Sequence, residues 1–411
     1  MIERLRSALV GLLGEEEELS DADILEQIDM LIMKEARKEP IPLMRREQLR
    51  RDLFASVRGL DVLQELLDNP AITEIMVNGC DSIFIEQAGR LKKCNKRFSS
   101  KERLNDVIQQ MVALANRRVN EAEPIVDSRL PDGSRINVVL SPVAINGPVI
   151  TIRKFPDKPV TMEQLIEWES ITEEVADFMR MLVVAGYNIF VCGGTGSGKT
   201  TFLNVLSEFI PADERVITIE DSAELQLKHI ENLVSLEARN ANSEGENQIT
   251  IRELIKTALR ARPDRIVVGE VRGQEALDLL QAFNTGHDGS LSTGHGNSPK
   301  DMLSRLETMV LMGMDMPLEA VRSQIGAALD IIVYLGRLRD KSRRVLSVTE
   351  IDGYENGEVK YHEIFRFCET GERDGKITGG FIGDRNNLYN RTKLEMAGIR
   401  WNEENREDKE K

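Results

Sequence analysis

No run of apolar residues approaches the roughly 20 that a membrane helix needs, which argues against a helical membrane span. The short apolar patch at residues 9–13, followed by the acidic run 15–18, does not have the form of a signal peptide. Cysteine is scarce as well: Cys80, Cys94, Cys192 and Cys368 are the four in 411 residues, and no two share a CxxC spacing. Neither a zinc cluster nor a disulfide framework is indicated. An excess of positive charge is missing too. Lys plus Arg number 54 against 69 Asp plus Glu, for a net charge of -15, which repels a nucleic-acid backbone unless bases are locally concentrated. Direct nucleic-acid binding is therefore not expected. Proline and low-complexity tracts are too few for general disorder, while 41% hydrophobic residues suffice for sizeable cores. What remains is the expectation of a folded, multidomain cytoplasmic protein with reduced thiols.

The chain divides where its rhythm changes. Residues 1–57 alternate acids and bases around Ile24, Ile28, Leu31 and Ile32 at helical spacing, break at Pro40-Ile41-Pro42, and read as a helical extension. Residues 58–155 mix a helix-like stretch at 104–119 with strand-like ones at 75–77, 83–85, 136–140 and 149–153. Pro131-Asp132-Gly133 and Asn146-Gly147-Pro148 mark turns between the later strands, which predicts a small α+β domain. The prolines of Phe155-Pro156-Asp157-Lys158-Pro159 stiffen a connector, so a linker over 156–164 and a hinge are expected. Over 165–340 strands alternate with helices. Ser170-Ile171-Thr172-Glu173 and Thr250-Ile251-Arg252-Glu253 have the form of capping boxes. Apolar runs at 188–192, 216–219, 266–269, 290–293 and 331–335 predict an α/β architecture with a doubly wound parallel sheet. Residues 341–411 are expected to form a hairpin around Asn356-Gly357 and then a polar tail.

Gly193-Gly194-Thr195-Gly196-Ser197-Gly198-Lys199-Thr200 fits the GxxxxGK[ST] phosphate loop, directly after an apolar strand and before a helix read from Thr201 onward. The pattern has a mechanism. Glycines let successive backbone N–H groups turn toward phosphate, and the helix terminus adds partial positive charge. The lysine reaches the β- and γ-phosphates and the threonine hydroxyl ligates magnesium. Gly193, Gly194, Thr195, Gly196, Ser197, Gly198, Lys199, Thr200 and Thr201 are thus the candidate ATP-binding residues, with Thr200 a candidate ligand of Mg2+.

Two further strands deliver acids to their carboxyl ends. In Arg265-Ile266-Val267-Val268-Gly269-Glu270-Val271-Arg272-Gly273, a glycine stands where an aspartate is usual. Glu270 alone is left to support the metal's hydration shell or to polarise the attacking water. The run 216–219 ends in Glu220-Asp221, with Glu224 one loop turn later, and a carboxylate there could take a proton from water in line with the γ-phosphate. Sequence does not divide the labour between Glu220 and Glu270. His287 and His295, two of four histidines, share the glycine-rich segment 286–296. Each imidazole can donate a hydrogen bond to phosphate, and the glycines permit movement when phosphate leaves. Two histidines without a third ligand do not make a zinc site. Met309, Met312, Met314 and Met316 read as core filling rather than as a partner surface.

Together these segments resemble the secretion-superfamily ATPases that power type II secretion, type IV pili and type IV secretion. The resemblance runs over about residues 60–335 and rests on the phosphate loop, the acid-rich segment 219–224, the atypical Walker B segment 268–273 and the histidine segment. Leu130-Pro131-Asp132-Gly133-Ser134-Arg135-Ile136-Asn137 and Ala258-Leu259-Arg260-Ala261-Arg262-Pro263-Asp264-Arg265-Ile266 look like the branch serving tight-adherence (Flp-type) pili. The lack of a four-cysteine zinc module points away from some other pilus and type II branches. The resemblance implies a RecA-like P-loop domain preceded by a smaller α+β domain, assembled as a homo-hexamer. It implies a motor ATPase, using ATP and Mg2+, that drives pilus assembly or secretion through an inner-membrane platform protein. A type IV secretion or conjugation ATPase is the alternative within the superfamily; a nucleotide-gated scaffold with negligible hydrolysis is the alternative outside it. The protein is expected in the cytoplasm, held peripherally at the inner face of the membrane by its partners. By resemblance, Glu220 is the general base, Glu270 the Walker B acid and a metal-supporting residue, and His295 a γ-phosphate sensor beside Lys199. His287 is the second histidine of the segment 286–296. By resemblance arginines from the amino-terminal domain would reach the phosphates, with Arg129, Arg135 and Arg153 the nearest candidates, while Arg239 and Arg262 could contact nucleotide or a neighbouring subunit.

Overall fold

The apolar positions read at helical spacing near the amino terminus form a small core of their own. In the computed structural model, which describes residues 4–5, 8–9, 21–38, 40–57, 60–87, 89–115, 117–155, 159–239, 241 and 246–400, α1 (Asp21–Ala36) and α2 (Leu43–Val57) meet through Ile24, Ile28, Ile32, Leu49 and Leu53. Most of the apolar patch at 9–13, the acidic run 15–18, the connector residues 156–158 and the charged end 401–411 lie outside the described residues. Contacts divide the chain into two units, Met1–Asp157 and Lys158–Lys411.

The first unit continues with α3 (Val62–Asp68), β1 (Ile72–Asn78), β2 (Ile83–Gln87), β3 (Arg90–Cys94), α4 (Lys101–Leu114), β4 (Ile125–Arg129), β5 (Arg135–Val139) and β6 (Val149–Arg153). The six strands form one antiparallel sheet in the order β3-β2-β1-β6-β5-β4. Leu104, Val107, Ile108, Met111 and Val112 of α4 complete its core against alternate strand residues such as Ile75, Val77, Ile136 and Ile150. Strands β3 and β4 were not legible because they are mostly exposed edges without apolar alternation.

In the second unit come α5 (Met162–Glu167), α6 (Glu173–Val184), β7 (Ile189–Gly193), α7 (Lys199–Ser207), β8 (Val216–Glu220), β9 (Leu233–Glu237), α8 (Ile251–Ala258), β10 (Arg265–Val271), α9 (Glu275–Asn284), β11 (Leu291–His295), α10 (Pro299–Gly313), α11 (Leu318–Ala328), β12 (Ile331–Arg337), β13 (Arg343–Glu355), β14 (Glu358–Arg373), β15 (Lys376–Gly383) and α12 (Thr392–Met396). They build a nine-stranded sheet, β15-β14-β13-β12-β7-β11-β10-β8-β9, in which the run from β12 to β9 is parallel. The central strands β7, β8, β10 and β11 are buried on both faces. Ile189 and Val191 of β7 enter the core beneath α6 and α7, while Phe190 and Cys192 enter the one formed with α8, α9, α10 and α11.

Several details depart from the sequence reading. The stretch expected to be linker over 156–164 already contains the start of α5, because Thr161 and Gln164 close a capping box there. Ser170 does not cap α6: Thr172 is the N-cap, and the Ser170 carbonyl instead accepts the Val345 N–H at 2.9 Å. The Thr250–Glu253 box does form. The carboxy-terminal segment is not an appendage, since β13, β14 and β15 extend the main sheet beyond β12, each antiparallel to the strand before it. Its first turn uses Asn356 and Gly357 at φ 54° and 84°; a second, at Asp374-Gly375, opens a strand within the segment read as tail. The cysteines are free thiols, and among the described residues no helix is long and apolar enough to cross a membrane.

Residues after β15 are held to the sheet by buried Glu350, whose carboxylate accepts the N–H groups of Tyr389 and Asn390, both at 2.7 Å. His362 lies alongside, with Nδ1 2.8 and 2.9 Å from the Asp352 oxygens, Nε2 2.7 Å from the Asn387 carbonyl, and its ring stacked on Tyr389. Burial opposes the imidazolium, but Asp352 and the Asn387 carbonyl outweigh it and hold His362 above the ordinary histidine range. Such a raised value stabilises the fold below about pH 6.5, the unfolded value, and the benefit is lost as pH rises through the folded one. Hydrogen exchange at Asn387–Asn390, corrected for intrinsic rate, is therefore expected to accelerate relative to the core as pH rises through that value. His362→Gln should flatten the dependence.

Candidate active site

Parallel strands bring their carboxyl ends to one edge of the sheet, where the sequence-predicted residues of the second unit meet. Gly193 ends β7, and His295, which ends β11, is its partner in the ladder. Glu220 ends β8 and Glu270 is the penultimate residue of β10. The chain turns from β7 through residues 194–198 into α7, where Gly198 is the N-cap at φ 94° and no side chain caps the first turn. Its leading N–H groups are arranged for an anion. Gly193 is required by crowding, because a Cβ there would lie 2.5 Å from both the Leu335 carbonyl oxygen and Ser197 Oγ. Thr200 is half-buried at the second position of α7, and Thr195 and Thr201 are exposed.

Lys199 is buried, with Nζ 3.2 Å from the Gly194 carbonyl and 3.3 Å from His295 Nδ1. An ammonium can only donate, which assigns Nδ1 as the acceptor and leaves the imidazole proton on Nε2. Nε2 in turn lies 3.0 Å from Glu270 Oε1, a close electrostatic contact without hydrogen-bond alignment. The other Glu270 oxygen accepts Nε and Nη2 of Arg272 at 3.0 and 2.6 Å, and Arg272 reaches Asp221 at 3.5 Å. Lys199, His295, Glu270, Arg272 and Asp221 thus form a chain of polar contacts across the strand ends. Burial first, then the Lys199 charge, hold His295 below the ordinary histidine range against the opposing pull of Glu270. Two buried oxygens, Ser197 Oγ and Glu270 Oε1, hydrogen-bond to no described residue.

Glu220 has a different setting. It is only 4% exposed, and its carboxylate accepts the N–H groups of Glu224 at 2.9 Å and Leu225 at 3.2 Å. The same loop is tied to α7 by Asn204 Oδ1, which accepts the Gln226 N–H at 2.7 Å. A Cβ on Gly269 would come within 2.9 Å of Glu220 Cγ. This is the physical reason a glycine occupies the position where aspartate was expected: with Glu220 fixed by backbone donors, there is no room.

Other predicted residues fall elsewhere. His287 lies ahead of the amino end of β11, where Nδ1 is 3.1 Å from the Ala282 carbonyl at the end of α9; the strand separates it from His295. Arg239 donates Nε to the Asn247 carbonyl at 2.8 Å, and Arg262 is a left-handed residue at φ 54° after α8. Within the first unit, Arg129, Arg135 and Arg153 are consecutive neighbours across β4, β5 and β6. Glu74 of β1 continues their row and is 3.8 Å from Arg153. Arg129 also donates Nε to the Gly133 carbonyl at 3.1 Å and lies over the Phe155 ring. Met309 is buried, but Met312 and Met314 are exposed. Arg272 and Asn204 were missed by sequence reading: Arg272 had a signal in its place after Glu270, and Asn204, mid-helix, had none.

The family model described as Type II/IV secretion system protein matches residues 57–374. The chain is 36% identical over 305 residues to a Mycobacterium tuberculosis protein named for conjugal transfer, an alignment covering 72% of this chain and 86% of the relative. It is 30% identical over 322 residues to the Bordetella pertussis type IV secretion system protein PtlH, covering 72% and 94% respectively. Among solved structures, the Yersinia pseudotuberculosis ATPase DotB is similar at a TM-score of 0.53 with 18% identity, covering 72% of this chain and 79% of that one.

Two outcomes follow from the geometry. Because Lys199 helps hold the His295 pKa down, Lys199→Met should raise it, read by NMR titration of the imidazole; no rise would refute the contact. In linkage terms the stabilisation from neutral His295 is present above about pH 6.5 and lost as pH falls through the folded value. Gly269→Ala forces overpacking against Glu220 and should cost about 1–3 kcal/mol in denaturant unfolding.

Proposed function

The chain belongs to the Type II/IV secretion system protein family, and from that membership we propose that it is an ATP-hydrolysing motor, working as a homo-hexamer, of a secretion or conjugation machine. The observation that carries this reading is the Lys199–His295–Glu270 contact chain at the carboxyl edge of the sheet, directly beside the phosphate loop. Relatives named for conjugal transfer and type IV secretion favour the type IV branch. A second reading, a tight-adherence pilus motor, is supported by the segments 130–137 and 258–266. In either case the protein would act in the cytoplasm at the inner face of the membrane, through an inner-membrane platform protein.

The proposed chemistry uses each group according to its setting. Backbone N–H groups of residues 194–198 and the Lys199 ammonium bind the β- and γ-phosphates. Glu220 accepts a proton from the attacking water as the water oxygen bonds to the γ-phosphorus and the bond to the β-phosphate oxygen breaks, giving ADP and phosphate. His295 registers the γ-phosphate because the ammonium it accepts from is the one phosphate must recruit. Thr200 and Glu270 fit a magnesium ion: one offers a hydroxyl, the other a buried oxygen without a hydrogen bond. Mg2+, when bound, supplies charge neutralisation of the phosphates. The arginine row is proposed to stabilise the transition state in the assembled ring. Like charges opposite one another across a sheet are unfavourable, and a polyphosphate offsets that cost.

Lys199→Ala should abolish phosphate release with the fold retained. Glu220→Gln should lower turnover at least about 100-fold while nucleotide still binds. Equal, near-background rates for wild type and Glu220→Gln would instead favour a nucleotide-gated scaffold. Mixed rings of Arg135→Ala and Lys199→Ala protomers should recover more turnover than either variant alone if the arginine serves a neighbour's site.

A further inference from the structure

The phosphate loop has a second flank, formed by the β12–β13 hairpin. Leu335 of β12 is in register with Gly193. Beyond β12 the turn is locked at several points. Asp340 accepts the Ser342 N–H at 2.9 Å, the Ser342 hydroxyl at 2.6 Å and the Ile377 N–H at 2.8 Å. Arg339 forks onto Glu369 at 2.5 and 2.6 Å. Arg344 is buried, donating Nη2 to the Ile377 carbonyl at 2.7 Å and to Glu169 at 3.1 Å. Between these anchors stands Arg343, the first residue of β13, whose Nε donates to the Gly196 carbonyl at 2.9 Å. Its stem is 3.5 Å from where a Cβ on Gly198 would be. Among the described residues it has no carboxylate partner.

A peptide group is planar, so its C=O and the following N–H point in opposite directions. A cation that draws the Gly196 oxygen toward the hairpin therefore aims the Ser197 N–H the other way. In the structure that N–H faces the Gly194 carbonyl at 3.3 Å, the same oxygen that accepts from Lys199 Nζ. The Ser197 donor and the Lys199 ammonium thus converge on one side of the loop.

We infer that Arg343 is a positioning residue for nucleotide binding, which fixes the Gly196–Ser197 peptide with its N–H toward the phosphates, from an element 147 residues away in the chain. This rests on the reading of the loop as a nucleotide site, and it adds a residue that neither the motif nor the strand-end acids reveal. Because the contact is to the loop backbone and not to the γ-phosphate, ADP and ATP should depend on it alike.

The test is the affinity of the full chain for fluorescent ADP and ATP analogues in wild type, Arg343→Ala, Arg343→Lys and Lys199→Ala, with nucleotide-free melting temperature as control. Arg343→Ala should weaken both nucleotides about tenfold, the loss of one charge-assisted hydrogen bond, and raise KM with kcat at saturation little changed. Arg343→Lys should recover part of the affinity, since it keeps the charge without the fixed Nε donor. The nucleotide-free melting temperature should stay at the wild-type value, because the side chain is exposed. Wild-type affinity in Arg343→Ala overturns the inference, as does a loss that tracks a fallen melting temperature or one confined to kcat. If wild type binds no better than Lys199→Ala, the nucleotide-site reading itself fails, and that result is distinct from failure at Arg343 alone.

Discussion

The Lys199 ammonium is the group around which the candidate site is organised. A buried cation is costly unless surrounding dipoles and charges compensate it, and here the compensation comes from several strands at once. The Gly194 carbonyl comes from the loop itself, the His295 imidazole from the end of β11, and Glu270 stands behind that imidazole from β10. None of these elements is local to Lys199 in sequence except the loop. The parallel sheet is what makes them neighbours: strands that run the same way end at the same edge, and the ladder pairing of His295 with Gly193 sets the imidazole beside the loop. The two-sided burial of β7 fixes that register, because slipping it by one residue would exchange Ile189 and Val191 for Phe190 and Cys192 between two differently shaped cores.

Much of this frame is legible in the sequence because its signals are short-range and physically stiff. The apolar runs of β7, β8, β10 and β11, the glycine spacing before Lys199 and the Thr250 capping box each require only a few consecutive residues. What sequence could not supply is register and competition. His287 and His295 share one segment, yet the strand between them carries them apart by roughly 3.3 Å per residue, and His287 stays with the end of α9. The Ser170 box is lost because β13 needs the Ser170 carbonyl and the helix begins two residues later. Likewise β15 and α12 read as tail because their composition is polar, and what holds that end is Glu350 and His362, distant in sequence.

Gly269 shows how a departure from a pattern can be legible while its cause is not. The sequence displays a glycine in place of an expected acid, but only the 2.9 Å approach to Glu220 explains it. That approach also bears on the two acids. Glu220 is held by backbone donors and crowded by β10, which fixes its position at the expense of lone pairs; Glu270 keeps a buried oxygen without a hydrogen bond and stands in the chain from Lys199. The settings are unlike enough that the pair need not share a role, in keeping with the proposal that one accepts the proton and the other makes the metal and sensor contacts.

The loop's two flanks differ in kind. On the hairpin side, Arg343 grips a backbone carbonyl and the turn that carries it is locked by Asp340 and Arg339; none of those contacts involves a group that would bind the γ-phosphoryl. On the β10–β11 side, the contacts pass through an imidazole poised between an ammonium and a carboxylate, and their strength depends on the charge of whatever the ammonium holds. Loss of a γ-phosphate would return Lys199 to His295 and alter the pull on Glu270 and Arg272, while leaving the Gly196 peptide where it was. A nucleotide-dependent movement starting at this site therefore has a fixed side and a responsive side. The strand ends that carry His295 and Glu270 are where such movement would begin.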